Sequence, residues 1–164
     1  DLSTIESGHL SLNIRPIDVT GLLDEMMDIY QSLAEAKHIR LERSCCEANL
    51  QVQADRKRVT QVLSNLLGNA IKATPSEGSI GIAAERDSET VRFSVWDSGP
   101  GILQEHVPHI FDKRWKHESG GIQGTGLGLF IAKSIVEAHG GRIWNEGAER
   151  GTIFRFTLPC DTGH

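Results

Sequence analysis

The stretch NLLGNAIKAT, residues 65–74, lies in a segment whose apolar residues recur at helical spacing and which ends near Thr74. Asn is a mediocre helix former because its amide competes for nearby backbone groups. Asn65 and Asn69 nevertheless share one face of the predicted helix, and Lys72 follows almost one turn later. Two interpretations stay open for this face. It is either a solvated surface, or a set of neutral oxygen ligands and a cation that face one anionic ligand.

The composition is that of a globular domain. The 164 residues, 38% hydrophobic and 24% charged, are enough for one domain with its own core and exclude a disordered or fibrous protein. A net charge of -5 without a basic cluster argues against nucleic-acid binding. The three cysteines form neither a C-x-x-C pair nor an even disulfide set, which favours a reduced, cytosolic setting. No apolar run approaches membrane-spanning length, and a membrane anchor on a longer parent chain stays open.

Alternating and helical patterns together predict the fold class. Two pairs of segments with period-two alternation, at residues 79–97 and 141–159, predict antiparallel strand pairs. Apolar residues at helical spacing predict helices over residues 18–37, 56–74 and 127–141. We therefore predict an α+β two-layer sandwich, in which a mixed, mostly antiparallel sheet is covered on one face by about three helices.

The segment VRFSVWDSGPGI, residues 91–102, places Asp97 at the end of an apolar strand. Gly99 and Gly101 follow directly. An ordinary turn is one interpretation of this pattern. The other is a single carboxylate acceptor on the floor of a pocket, beside a backbone that leaves room for a ligand. Such a carboxylate suits the exocyclic amine of adenine.

The segment GGIQGTGLGLF, residues 120–130, brings several glycines before and into a predicted helix. Backbone N–H groups at a helix N-terminus form a natural phosphate site. The segment is not a Walker A loop, because no Gly-Lys-Ser/Thr follows, and it opens no βαβ unit as a dinucleotide fingerprint does. A flexible linker remains the competing interpretation.

The order of these motifs resembles the ATP-binding catalytic domain of sensor histidine kinases, in the GHKL ATPase superfamily. The matching segments are NLLGNAIK (N box), DSGPGI (first glycine box), IFDKRW (F box) and GTGLGL (second glycine box). The resemblance covers about residues 14–159. It implies an ATP-binding catalytic domain at residues 13–160, preceded at 1–12 by the end of a dimerisation helix and a linker. Residues 161–164 would be a C-terminal tail.

The resemblance implies catalytic roles for three side chains. Asn69 would bind Mg²⁺ that bridges the phosphates of ATP, with Asn65 in support, and Lys72 would neutralise phosphate charge. Lys113 would approach the terminal phosphate. Asp97 would accept a hydrogen bond from the adenine amine.

The resemblance also implies a mobile ATP lid at residues 112–123. Residues 124–128 would contact the phosphates, and Thr152 would help to hold the adenine side. The resemblance implies ATP-binding roles for the five side chains named above. The other implied ATP-binding positions are Gly99, Gly101, Ile102, Gly124, Thr125, Gly126, Leu127, Gly128 and Thr152.

Asn65 distinguishes phosphoryl transfer from hydrolysis. ATP-hydrolysing members of the superfamily resemble one another in placing at this position a Glu that acts as general base, which is typically worth ~10²–10⁴-fold. Asn cannot take up a proton, so the sequence favours transfer to a histidine, in which catalysis is largely positioning and charge neutralisation. Two positions depart from the family pattern, since Ala73 and Arg114 stand where aromatic residues are usual.

None of the seven histidines is followed by an acidic and then a basic residue, the context of the family's phosphoacceptor. We therefore expect the catalytic part of a two-component histidine kinase, which uses Mg²⁺ and ATP. Its partners would be the dimerisation and phosphoacceptor domain of its own parent chain and a response regulator. This chain would be monomeric and cytoplasmic, and its parent a homodimer. The alternative is a degenerate nucleotide-binding or interaction module that has lost phosphotransfer, as Ala73 and Arg114 suggest.

Overall fold

The computed structural model describes residues 4–5, 10–45, 47–113, 127–147 and 150–160. Its elements, in chain order, are β1 (Arg15–Asp18), α1 (Val19–Ala36), β2 (Arg40–Cys45), β3 (Gln51–Ala54), α2 (Arg56–Ala73), β4 (Ser79–Asp87), β5 (Thr90–Asp97), a 3-10 helix (Gln104–His109), α3 (Gly128–Ala138), β6 (Ile143–Glu146) and β7 (Thr152–Pro159). No helix in the described ranges combines the length and apolar character that a membrane crossing requires.

The main sheet has five strands in the order β2-β4-β5-β7-β6. The pairs β4–β5, β5–β7 and β7–β6 are antiparallel, and β2 pairs with β4 in parallel. A separate antiparallel pair consists of β1 and β3. The prediction of a mixed, mostly antiparallel sheet is confirmed, as is the α+β class.

Alternation within the strands decides which sheet face the helices cover. In β5, Val91, Phe93 and Val95 are buried and the residues between them are only partly buried. Phe93 stacks on Phe156 of β7, with ring centroids 4.8 Å apart. The buried stripes of α1, α2 and α3 belong to the same hydrophobic core. The opposite face carries Trp96, whose ring lies over Gly81.

Side-chain caps set the helix starts where the sequence predicts them. Asp18 accepts a hydrogen bond from Gly21 N–H at the start of α1, and Asp55 accepts one from Arg58 N–H at the start of α2. These bonds satisfy backbone donors that have no partner inside the helix. A hydrogen bond also joins the start of α2 to the end of α3, because the buried His139 accepts a hydrogen bond from Asp55 N–H at 3.0 Å.

Candidate functional site

A cavity opens between the C-terminal half of α2, the end of β5 and the start of β7. Its lining is mostly apolar, with three polar side chains, Asn69, Asp97 and Thr152. Concave sites with an apolar wall and a few polar groups are typical of small-molecule binding. The lining residues are Leu66, Asn69, Ala70, Ala73, Val95, Asp97, Pro100, Gly101, Ile102, Thr152 and Phe154.

Asp97 is the buried carboxyl group of the cavity. Only 9% of its surface is exposed, and its Oδ1 accepts a hydrogen bond from Gly99 N–H at 2.8 Å. Burial raises the pKa of Asp97 to about 6, because removal of water disfavours the ionised form and the Gly99 N–H offsets only part of this effect. Thr152, also buried, lies directly opposite Asp97 in the β5–β7 register. The site therefore offers one carboxylate acceptor beside one hydroxyl.

The two glycines after Asp97 are required by the path of the backbone. A Cβ on Gly99 would lie 2.6 Å from the carbonyl oxygen of Ala73 at the end of α2. Gly101 has a φ of +84°, in the left-handed region that side chains rarely adopt. The segment therefore passes close to α2 and leaves the cavity unfilled.

Asn69 lines the cavity, and its buried Nδ2 has no hydrogen-bond partner among the described residues. An amide oxygen is a ligand that Mg²⁺ accepts, and Mg²⁺ usually takes few protein ligands together with water and substrate phosphates. The described part of the chain contains no cluster of three or more His, Cys, Asp or Glu residues that could hold a metal. Asn69 therefore offers one oxygen ligand, which fits the small number of protein ligands that Mg²⁺ usually takes.

Asn65 lies outside the cavity lining and contacts α3. Its Nδ2 donates a hydrogen bond to the carbonyl oxygen of Gly128 at 3.0 Å. Lys72 and Lys113 are exposed and do not line the cavity either. Leu127 and Gly128 lie at the start of α3. The structure thus brings Asn69, Asp97, Gly101, Ile102 and Thr152 to one cavity, with Gly99 next to Pro100 in its wall. The remaining described candidates, Asn65, Lys72, Lys113, Leu127 and Gly128, are not among its lining residues.

Several predicted site features lie outside the described residues. They are Gly124, Thr125 and Gly126, together with the predicted lid from residue 114 onward and the departure at Arg114. Their assignments remain predictions.

The sequence interpretation missed two supports of the site. Phe111 of the F box packs edge-on against Phe154, with centroids 6.0 Å apart, and Lys133 Nζ lies 5.9 Å from the centre of the Phe111 ring. Lys37 Nζ donates hydrogen bonds to the carbonyls of Ile71 and Lys72 at the end of α2. The alternation of β7 could have identified Phe154. Neither lysine gives a local signal, because its partner is distant in the sequence.

Comparison with known proteins identifies one family. The model of the family described as histidine kinase-, DNA gyrase B-, and HSP90-like ATPase matches residues 54–162. Sensor histidine kinase WalK of Bacillus subtilis is 35% identical over 164 residues, which are 96% of this chain and 27% of that protein. Sensor histidine kinase ZraS of Escherichia coli is 34% identical over 161 residues, 98% of this chain and 34% of ZraS. The chain thus spans about a third of the length of these curated relatives.

Solved structures give the same result. The nucleotide-free catalytic domain of histidine kinase ThkA has 38% identity and a TM-score of 0.82, and the match covers 90% of this chain and 95% of that domain. Full-length ShkA in complex with AMPPNP has 30% identity and a TM-score of 0.87, and the match covers 98% of this chain and 34% of ShkA.

Proposed function

The chain belongs to the histidine kinase-, DNA gyrase B- and HSP90-like ATPase family, as a sensor histidine kinase catalytic domain, and from this premise we propose that its cavity binds ATP together with Mg²⁺. The γ-phosphoryl group then passes to an imidazole nitrogen of a histidine on a dimerisation helix of the parent chain, and ADP leaves. A response regulator receives the phosphoryl group downstream.

Asp97 is the observation that carries this proposal. An ionised carboxylate can only accept hydrogen bonds, so Asp97 suits the amino group of adenine and opposes the 6-oxo group of guanine. Guanine in this place would leave the buried Asp97 carboxylate without a hydrogen-bond donor from the 6-position of the base. A buried polar atom left without a partner costs about 1–3 kcal/mol. Thr152 supplies a hydroxyl on the same side. The cavity should therefore select ATP over GTP.

The phosphate end of the site rests on α2 and the start of α3. Asn69 would hold Mg²⁺ through its amide oxygen, and the bound ion neutralises phosphate charge. Lys72 follows Asn69 by three residues on α2, and its long exposed side chain can reach out from the cavity edge. Lys113 and residues 124–128 would complete this end. These roles are assigned by motif position.

The residue at position 65 favours transfer over hydrolysis. Asn65 cannot accept a proton from water, and its Nδ2 is already bonded to Gly128. A neutral imidazole acceptor is nucleophilic without a base, so the protein needs only to align the phosphoryl group and neutralise its charge.

The proposed partners rest on analogy with a relative. Histidine kinase ThkA, 34% identical with a TM-score of 0.81, has been solved in complex with the response regulator protein TrrA. By analogy we assign to this protein a response regulator and the dimerisation and phosphoacceptor domain of a homodimeric parent. The catalytic domain would occupy residues 13–160 and act in the cytoplasm, whether or not the parent is membrane-anchored.

Calorimetric titration with Mg-ATP and Mg-GTP tests the proposal. The wild type should bind ATP and not GTP, and Asp97→Asn should weaken ATP binding at least tenfold. Asp28→Asn, the same chemical change on the exposed surface of α1, is the matched control and should bind like the wild type. Absence of heat with the wild type would refute the proposal.

A second experiment distinguishes a kinase from the degenerate module. The chain is mixed with the dimerisation and phosphoacceptor domain of its parent and with γ-labelled Mg-ATP. Acid-labile, base-stable label on that domain supports the kinase. ATP binding without transfer would instead support the module, for which the small Ala73 in the cavity wall is the structural argument.

A further inference from the structure

We propose that Asn65 is a positioning residue, which fixes the start of α3 to α2 and thereby holds the first backbone N–H groups of α3 in place for the phosphates of a nucleotide. The phosphate part of this inference rests on the proposed function. The structural part, an anchor between two helices, does not.

The contact lies at the first residue of α3. Asn65 Nδ2 donates to Gly128 O at 3.0 Å, across 63 positions of sequence. The Asn65 side chain also faces Gly128 closely, since a Cβ added at Gly128 would lie only 3.8 Å from Cβ and Cγ of Asn65. Leu127, which precedes α3, makes no side-chain cap. The Asn65 amide therefore supplies, from α2, a fixed point at this helix start.

The position of Asn65 on α2 connects the anchor to the cavity. Asn65 and Asn69 are one turn apart, so one face of α2 carries both the contact to α3 and the amide that lines the cavity. The first N–H groups of a helix have no partner within it and attract anions. A shift of the start of α3 would move these donors away from any phosphate that Asn69 helps to bind.

The chemistry of the contact requires a donor at position 65. A carboxylate there could not donate to the Gly128 carbonyl and would repel its oxygen. Leu has the same branched arrangement of side-chain heavy atoms as Asn, although it is larger, and it neither donates nor carries charge. Asn65→Leu and Asn65→Asp therefore both remove the donor, and only one of them adds a charge.

Hydrogen exchange in the nucleotide-free protein tests the anchor by itself. The reporter is the Ile131 amide, which donates to Leu127 O at 2.8 Å in the first turn of α3. Loss of the Asn65 bond should speed its exchange about fivefold in both variants, as for one net hydrogen bond. The His139 amide at the other end of α3 should not change. Gln61→Leu, one turn earlier on α2, is the matched control. Unchanged Ile131 exchange in either variant overturns the proposal.

Binding of two ligands tests the phosphate part. Asn65→Leu should weaken the binding of Mg-ATP about fivefold and leave that of adenosine, which lacks phosphates, unchanged. An equal loss for both ligands, or none for ATP, overturns the positioning role. If the wild type bound no ATP at all, the proposed function would fail while the exchange result on Ile131 still decided whether the anchor exists.

Discussion

Replacement of Asp97 by Asn should make the protein more stable at neutral pH while it impairs nucleotide binding. The reason is the burial of the carboxyl group beside a single hydrogen-bond donor, Gly99 N–H. Asn has the same shape, and its amide oxygen can accept the same hydrogen bond without a buried charge.

The pKa of Asp97 gives the size of the effect. It rises from 3.8 in the unfolded chain to about 6 in the folded protein. One pKa unit corresponds to about 1.4 kcal/mol, so the ionised group destabilises the folded state by about 3 kcal/mol at pH 8. The Asn amide N–H₂ also loses some hydration in the cavity, which reduces the expected gain for Asp97→Asn to about 2 kcal/mol.

The pH dependence has a definite sign. The folded state holds the Asp97 proton more tightly than the unfolded state does, so this group favours folding when protonated. The advantage of Asp97→Asn should therefore be complete above about pH 7. It should shrink as the pH falls through about 6. Well below 3.8, where both states are protonated, only the hydration cost of the Asn amide remains, and the variant should be about 1 kcal/mol less stable than the wild type.

Urea unfolding at several pH values between 4 and 8, monitored by tryptophan fluorescence, measures the difference in unfolding free energy between the wild type and Asp97→Asn. Asp28→Asn on the exposed surface of α1 is the control and should show no comparable gain. A variant less stable than the wild type at pH 8, or a difference that does not depend on pH, would show that Asp97 is not a destabilising buried carboxylate.

Three further predictions follow from the site and its sheet. The affinity of the wild type for adenosine, measured by calorimetry, should fall about tenfold between pH 7.5 and pH 5, because protonated Asp97 loses acceptor capacity. Asp97→Asn should show no such fall. Gly81→Ala should destabilise by about 1–3 kcal/mol in urea unfolding and shift the emission of Trp96, since the new methyl group would overlap its ring. Lys133→Met should remove a cation–π contact with Phe111 and lower the free energy of unfolding by about 0.5–1 kcal/mol.

Two variants serve as controls for the last two predictions. Gly68→Ala on α2 places its methyl group in open space and should stabilise by up to about 1 kcal/mol. Lys57→Met, at the exposed start of α2, should leave stability nearly unchanged. A Gly81→Ala variant as stable as the wild type would contradict the close contact with Trp96, and equal effects of the two lysine variants would contradict the ring contact of Lys133.

The sequence predicted the elements well because their signals are local. Helix caps act within three residues, as Asp18 and Asp55 show, and strand alternation repeats every second residue. The strand that ends at Asp97, and the glycines that follow it, could therefore be predicted from a dozen residues.

Partners across the fold were harder to predict, because no local pattern encodes them. The parallel pairing of β2 with β4 brings Arg40 opposite Ser79, with α2 between them in the chain. The bond from Asn65 to Gly128 spans an even longer stretch. Periodicity placed Asn65 only on the same face as Asn69, and its supporting role came from the family resemblance. Periodicity also put Lys72 on the same face, without indicating that it would lie outside the cavity.

The cavity draws its polar groups from positions 69, 97 and 152, so no contiguous piece of the chain can form it. A ligand that binds there can recognise only the complete fold. On the proposed function, ATP at one hundred times its dissociation constant would add about 2.7 kcal/mol to the free energy of unfolding. Proteases degrade mainly the opened chain, so the lifetime of the protein in the cell would follow the ATP supply. Starvation would then shorten the life of the protein as well as depriving it of its phosphoryl donor.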